Sequence, residues 1–249
     1  MAKQSGLGDQ LFVDGYDIGA DVSAIGSLST PRETLPATGI TKFAMERLFG
    51  KRDGLAEFTT YFNDAALQEH IALKGLPRTD VQVMYLRGTT LGNEMIGLVG
   101  KQINYDPTRG DDGSFTFGVS VQANAYGLDW GKQLTAGKRT DTAATNGTGV
   151  DFGTGSLAFG FQAYLQVFSF TGTSVTVKLQ ESSDNGVGDA WADVSGGAFT
   201  AATGRTTQRI QSVSDTLTVE RYLRVVTTGT FSNAVFAVGV TRNPALRAI

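Results

Sequence analysis

Residues 115–125, FTFGVSVQANA, alternate with a period of two: Phe115, Phe117, Val119, Val121, Ala123 and Ala125 fall on one side, and Thr116, Ser120, Gln122 and Asn124 fall on the other with Gly118. Successive side chains of a β-strand point to opposite faces, so this stretch is a long strand with one buried face and one wet, uncharged face. A strand of this kind needs neighbours, and the chain supplies them. TKFAMERLF sets Phe43, Met45 and Phe49 against Lys42 and Glu46, and the break at GKRDG returns the chain into LAEFTTYF as a hairpin. VQVMYLRG and EMIGLVGKQINY read as two further strands.

One segment of the first half has helical character. In FNDAALQEHIALKGLP, Asn63 is placed to cap the first amides, Asp64 suits the positive helix end, and Phe62 and Leu67 are spaced for a hydrophobic staple. Gly75 and Pro77 end the run after about three turns. Leu67 and Ile71 are expected to share the packed face.

The stretch TAGKRTDTAATNGTGVDFGTGS, residues 135–156, has almost no large apolar side chains and reads as a linker or long loop. Its glycines match neither GxxxxGK[ST] nor GxGxxG, so they do not form a phosphate cradle. Beyond it the pattern is strands only: FGFQAYLQVFSF, SVTVKLQ, WADVSGG, TTQRIQSV, ERYLRVVTTG and AVFAVGVTR, separated by turn clusters. Val175, Val177 and Leu179 alternate with Thr176, Lys178 and Gln180, as in a sheet with one wet face. The expected fold is mainly β: residues 1–134 a β-sandwich or barrel with one α-helix, residues 157–249 a second β-sandwich of jelly-roll or immunoglobulin-like type.

Composition narrows the function. With 32 glycines and only 18% charged residues, the chain leans toward strands and turns. Residues 1–134 carry 12 Lys/Arg against 16 Asp/Glu, and residues 135–249 carry 9 against 8, giving −4 and +1. That balance does not suit a protein that grips nucleic acid by neutralising phosphates. The polar start MAKQSGLGDQ, with no apolar run of roughly 18 residues anywhere, leads us to expect neither a secretory leader nor a membrane span.

No catalytic constellation can be drawn. There is no cysteine and a single histidine, His70, and a lone imidazole on a helix is usually a surface or packing residue. The oxygen-rich run from Asp184 to Asp189 contains Asn-Gly, the strongest short turn signal, and lacks the length and terminal Glu of a calcium loop. Asp111-Asp112-Gly113 reads as a turn as well. The expectation is a protein that is not an enzyme, without cofactor or metal. A carbohydrate- or host-surface-binding module is the alternative, and for that role Trp130 and Trp191 are the only tryptophans.

The C-terminal run YLQVFSFTGTSVTVKLQESSDNG, followed by WADV, GGAFT, TTQRI and RYLRVVTTGTFSNAVFAVGVTRN, resembles the β-sandwich appended to major tail proteins of long-tailed, non-contractile phages. The N-terminal half, ending in NAYGLDWGKQLT, is similar to the tube domain of the same family. The resemblance implies a structural virion protein in which a tube domain (1–134) forms hexameric rings. The rings stack into a conduit for DNA ejection, and the C-terminal domain is displayed outside. The implied partners are further copies of the chain, the tape-measure protein and then DNA in the lumen without sequence-specific binding, and a host-surface glycan at the C-terminal domain. Assembly is expected in the host cytoplasm, and no membrane is involved. On this reading the lumen candidates are Thr116, Ser120, Gln122 and Asn124, together with Lys42 and Glu46. Residues 1–10 and PRETLPATG (31–39) are expected as mobile arms that order on stacking.

Overall fold

The structure, a computed structural model, describes residues 5–153 and 155–246. It is mainly β, with 55% of residues in strands and 2% helical. The first half contains β1 (Gln10–Val13), β2 (Tyr16–Asp17), β3 (Val22–Ser29), β4 (Arg32–Pro36), β5 (Arg47–Arg52), β6 (Leu55–Tyr61), helix α1 (Glu69–Leu73), β7 (Val81–Leu86), β8 (Glu94–Arg109), β9 (Phe115–Ala123) and β10 (Asp129–Gln133). The second contains β11 (Arg139–Asp141), β12 (Val150–Asp151), β13 (Phe161–Ser182), β14 (Ala192–Ala198), β15 (Thr206–Gln211) and β16 (Tyr222–Arg242). All pairings are antiparallel, and every strand except β4 and β5 belongs to one hydrogen-bonded sheet, joined across the halves by β10, which lies between β8 and β16.

Three cores separate the strand layers. Leu11, Val13, Val83, Ile96 and Leu98 point from β1, β7 and β8 into a core closed by Ala56, Phe58, Val119 and Val121 of β6 and β9. The opposite faces of the same strands supply Phe12, Met84, Leu86 and Met95 to a second core, which Tyr164, Phe168 and Ala237 complete from β13 and β16. The third core lies within the C-terminal half, between Phe161, Ala163, Leu165 and Val167 on one side and Val175, Val177, Leu179 and Val194 on the other. The first part of β13 is therefore buried on both faces, and so loses the apolar-polar alternation of a half-exposed strand.

The C-terminal sandwich is made by folding one long ribbon. β13 and β16 pair from Phe161↔Arg242 to Ser182↔Tyr222, with register shifts at Val167/Ser169, Thr171/Gly172 and Gly172/Ser174. At this bend Gly172 and Gly229 take φ of 152° and 123°. A Cβ on Gly229 would sit 2.3 Å from the Ser174 carbonyl oxygen, so both the dihedral and the space demand glycine. Four of the strands expected from sequence thus merge into two, because bulges at glycines bend the ribbon without ending it.

Several local expectations are corrected. The helix covers only Glu69–Leu73, and its N-terminal flank Gln68 makes no side-chain cap. Asn63 turns its side-chain oxygen to the Ala65 N–H instead, and Leu67 takes a positive φ of 69°. The first turns are lost because Glu69 is drawn inward, where its carboxylate accepts from the Asn63 N–H at 2.9 Å and the Tyr105 hydroxyl at 2.9 Å. Leu67 and Ile71 are exposed and Leu73 is the buried apolar residue. Residues 31–39 contain strand β4, paired with β5 through Thr34↔Phe49, Leu35↔Leu48 and Pro36↔Arg47, and residues 42–46 form the loop end of that hairpin rather than a strand of the main sheet. Residues 1–4 lie outside the described residues. Within the rest of the expected N-terminal arm, Asp9 is held by Arg87 and by the Tyr85 hydroxyl, and Gln10 opens β1. Along 135–156, Thr145 N–H bonds the Thr227 carbonyl and Gly147 N–H bonds the Val225 carbonyl, while β11 and β12 pair with β16.

Candidate assembly surface

Three surfaces meet along β6. The first is the β4–β5 hairpin, which leaves the sheet at Arg52. Its base is anchored: the Asp53 N–H bonds the Pro31 carbonyl at 2.9 Å, and the Arg52 guanidinium reaches the Leu128 carbonyl and Asp129, each at 3.2 Å. Beyond the base it stands in solvent. Ile40 and Phe43 have relative exposures of 106% and 110%, and Leu35, Met45, Leu48 and Phe49 are exposed too. An apolar loop of this composition in water is costly to a lone molecule and marks a contact surface. Lys42 and Glu46 form an ion pair at 3.0 Å across the hairpin's end, so these two candidates share a site with each other but not with the β9 candidates.

The second surface is the wet face of β9 and its neighbours. Thr116, Ser120 and Gln122 alternate with buried Phe117, Val119 and Val121, as the period of two requires. Pairing extends this face sideways: Gln122 lies between Leu55 and Lys101, Ser120 between Glu57 and Asn104, and Thr116 between Tyr61 and Thr108. The polar groups are tied to one another. Asn104 Oδ1 accepts the Ser120 N–H at 2.6 Å, Gln122 Nε2 donates to Asp53 at 3.1 Å, and Asn124 Nδ2 donates to Asp80 at 3.0 Å. Lys101 holds the Asp80 carboxyl below its ordinary range. Glu57, Lys101, Asn104 and Asp106 were not among the sequence candidates. A bulge between Gln102 and Asn104 switches the parity of β8, so Lys101 before it and Asn104 after it pair with the same face of β9 although they are three residues apart.

The third surface caps the far end of β6. Phe62, Phe115, Phe117, His70 and Tyr105 form a ring cluster in which Tyr105 stacks on Phe117 at 4.1 Å between centroids. Beneath it, the Tyr105 hydroxyl donates to Glu69 and receives His70 Nδ1 at 2.9 Å, and Thr60 Oγ1 donates to the same carboxylate. Burial, followed by the bond to Glu69, raises the Tyr105 phenol well above its usual value. His70 is thus a packed, hydrogen-bonded residue. Tyr61, Phe62, Leu67, Ile71 and Phe115 are left partly in solvent around this cluster.

Among the described residues, no three of His, Cys, Asp and Glu converge on a cation-sized position. The Asp184 carboxylate is consumed by its own turn, accepting the N–H groups of Val187, Gly188 and Asp189, with Asn185 and Gly186 at φ of 66° and 83°. Trp191 lies under the Arg224 guanidinium, 4.5 Å from its ring centroid, and packs against Gly149 and Gly186. Trp130 is half exposed. No helix among the described residues is long and apolar enough to cross a membrane.

No protein-family model and no curated protein matches the chain. Among solved structures, the chain is similar to a subunit of the tail of an empty GTA particle with C6 symmetry, at 14% identity and a TM-score of 0.41, over 51% of this chain and 98% of that one. It is similar to the SPP1 Dit protein, a hub of the adsorption apparatus of phages infecting Gram-positive bacteria, at 15% identity and a TM-score of 0.35, over 94% of this chain and 99% of that one. It is also similar to a chain of the phage p2 baseplate in its activated conformation, at 10% identity and a TM-score of 0.36, over 94% and 98%.

Proposed function

We propose that this chain is a structural virion protein of a phage tail, a tail-tube subunit that self-assembles into stacked, hexameric rings. The observation that carries this reading is the β4–β5 hairpin, whose apolar side chains stand in water on an ordered, anchored two-stranded arm. The wet face spanning β3, β6, β9 and the second half of β8 supports it. This face carries both signs of charge but few of either, which lets DNA slide where a wall of Arg and Lys would hold it. Thr116, Ser120, Gln122 and Asn124 are its lumen residues on this reading. Lys42 and Glu46 belong to the contact between subunits. Residues 1–134 form the tube unit, and residues 157–249, reached through 135–156, are displayed on the exterior. The tape-measure protein and then DNA occupy the lumen, assembly takes place in the host cytoplasm, and the chain has no catalytic role.

Negative-stain electron microscopy and sedimentation of the purified chain test the proposal. Rings or hollow tubes are expected. The double variant Ile40→Ser, Phe43→Ser should stay folded and sediment as a monomer. A wild-type chain that remains monomeric at every concentration and salt condition, and is retained on an immobilised glycan, would favour the binding-module reading instead.

A further inference from the structure

The apolar hairpin and the aromatic cluster lie at opposite ends of one strand. β6 begins at Leu55, just after β5 ends at Arg52, and finishes at Tyr61 beside Phe62 and Phe115. Its seven residues separate the two patches by roughly 20 Å at the ordinary rise of a strand. The charges of the two ends are opposite. With Arg52 engaged by Asp129, the hairpin presents Arg32, Lys42, Arg47 and Lys51 against Glu33 and Glu46, a net +2. With Glu69 buried, the segments framing the aromatic cluster, residues 61–74 and 106–115, present Asp64, Asp106, Asp111 and Asp112 against Lys74 and Arg109, a net −2.

Taking the self-assembly reading as given, we infer that the hairpin of one copy docks head to tail on the aromatic end of the next, setting Phe43 and Ile40 against Tyr61, Phe62 and Phe115. Two hairpins meeting tip to tip would bring like charges together, as would two aromatic ends, whereas unlike ends are complementary in both charge and apolarity. A contact between two different surfaces of the same chain does not close on itself in a pair, so it propagates along the direction of β6. The aromatic end is suited to receive: its rings are packed on one another and on the hydrogen-bonded His70–Tyr105–Glu69 set, so little side-chain freedom is lost on docking.

The chain has no cysteine, so introduced thiols report on one contact at a time. Phe43→Cys and Phe115→Cys proteins are mixed under assembly conditions and treated with a short bismaleimide, and the linked peptides are identified by mass spectrometry. A 43–115 cross-link is expected in the mixture and in neither variant alone. Asp112→Cys, at the exposed β8–β9 turn, serves in place of Phe115→Cys if that variant is unstable. Reversing charge at Asp111 and Asp112 to Lys should lower association, and pairing it with Arg47→Glu, Lys51→Glu should recover it. Assembled particles that give only 43–43 links, or no link to residue 115 or 112, would overturn the docking while leaving self-assembly standing. A wild-type chain that never assembles would remove both.

Discussion

Arg52, the last residue of the exposed hairpin, and Asp129, the first residue of the strand that joins the two halves, are in contact at 3.2 Å, and Asp129 is 2% exposed. The same carboxylate accepts the hydroxyl of Tyr164 at 2.8 Å, so the hairpin base, the junction strand and the core between the halves share one buried anion. Replacing Asp129 by Asn keeps the shape and removes the charge that Arg52 and Tyr164 are oriented to meet. The variant should lose about 3 kcal/mol in a urea unfolding experiment, and Tyr164→Phe about 1 kcal/mol.

Gly229 should be intolerant of any side chain. Alanine there must adopt a φ that only glycine takes readily and must also push against the Ser174 carbonyl. Gly229→Ala is expected to cost about 1–3 kcal/mol, seen as a lowered denaturation midpoint with an unchanged slope.

Stability should peak at acidic pH, between the ordinary carboxyl values of 3.8 and 4.5. Burial raises the Glu181 carboxyl above its ordinary 4.5, and burial with the neighbouring Asp189 raises Glu220. For these groups the native state binds more protons than the unfolded one, so stability grows as the pH falls toward 4.5. Arg221 holds Asp151 low and Lys178 holds Asp193 low, so stability falls again as the pH passes below their ordinary 3.8. Thermal melts across this range should show the maximum, and Glu181→Gln with Glu220→Gln should flatten the limb above pH 4.5.

If the wet face lines a conduit, its lack of net positive charge matters more than its individual hydrogen bonds. Converting Thr116, Ser120 and Gln122 to Lys should leave the fold intact, because all three point away from the core. Assembled particles of this variant should retain duplex DNA that the wild type releases. The log–log salt dependence of retention should steepen by about 0.9 for each phosphate neutralised. Unchanged retention would mean that this face does not meet DNA.

The parts of the fold that were legible in the sequence are those where one side of a strand is wet. β9 and the second half of β13 show this, with their periods intact. Phe161–Phe168 shows no period because both faces are packed against cores, a situation that a single strand's sequence does not distinguish from any other apolar run. The helix starts later than its sequence suggests because the apparent cap, Asn63, is tied with Thr60 and Asp21 into a network around the inward-facing Glu69 carboxylate. Lys42 and Glu46 alternate correctly with Phe43 and Met45, yet these residues form a hairpin end, where alternation has no sheet to act upon. The extent of the wet face depends on which strands lie beside β9, and pairing partners up to 67 residues away in sequence leave no local trace.

The folded ribbon has a mechanical consequence. β13 and β16 run antiparallel over 22 and 21 residues, from the core between the halves to the outer layer of the sandwich. Tension along such a pair loads many ladder bonds in shear at once, so the ribbon acts as a tie rod. The register shifts between Val167 and Ser174 break the ladder, and there, around Gly172 and Gly229, the rod has a hinge. A torque applied to the outer layer is therefore taken up first by bending at these two glycines, while the layer bearing Tyr164 keeps its register against the first half of the chain.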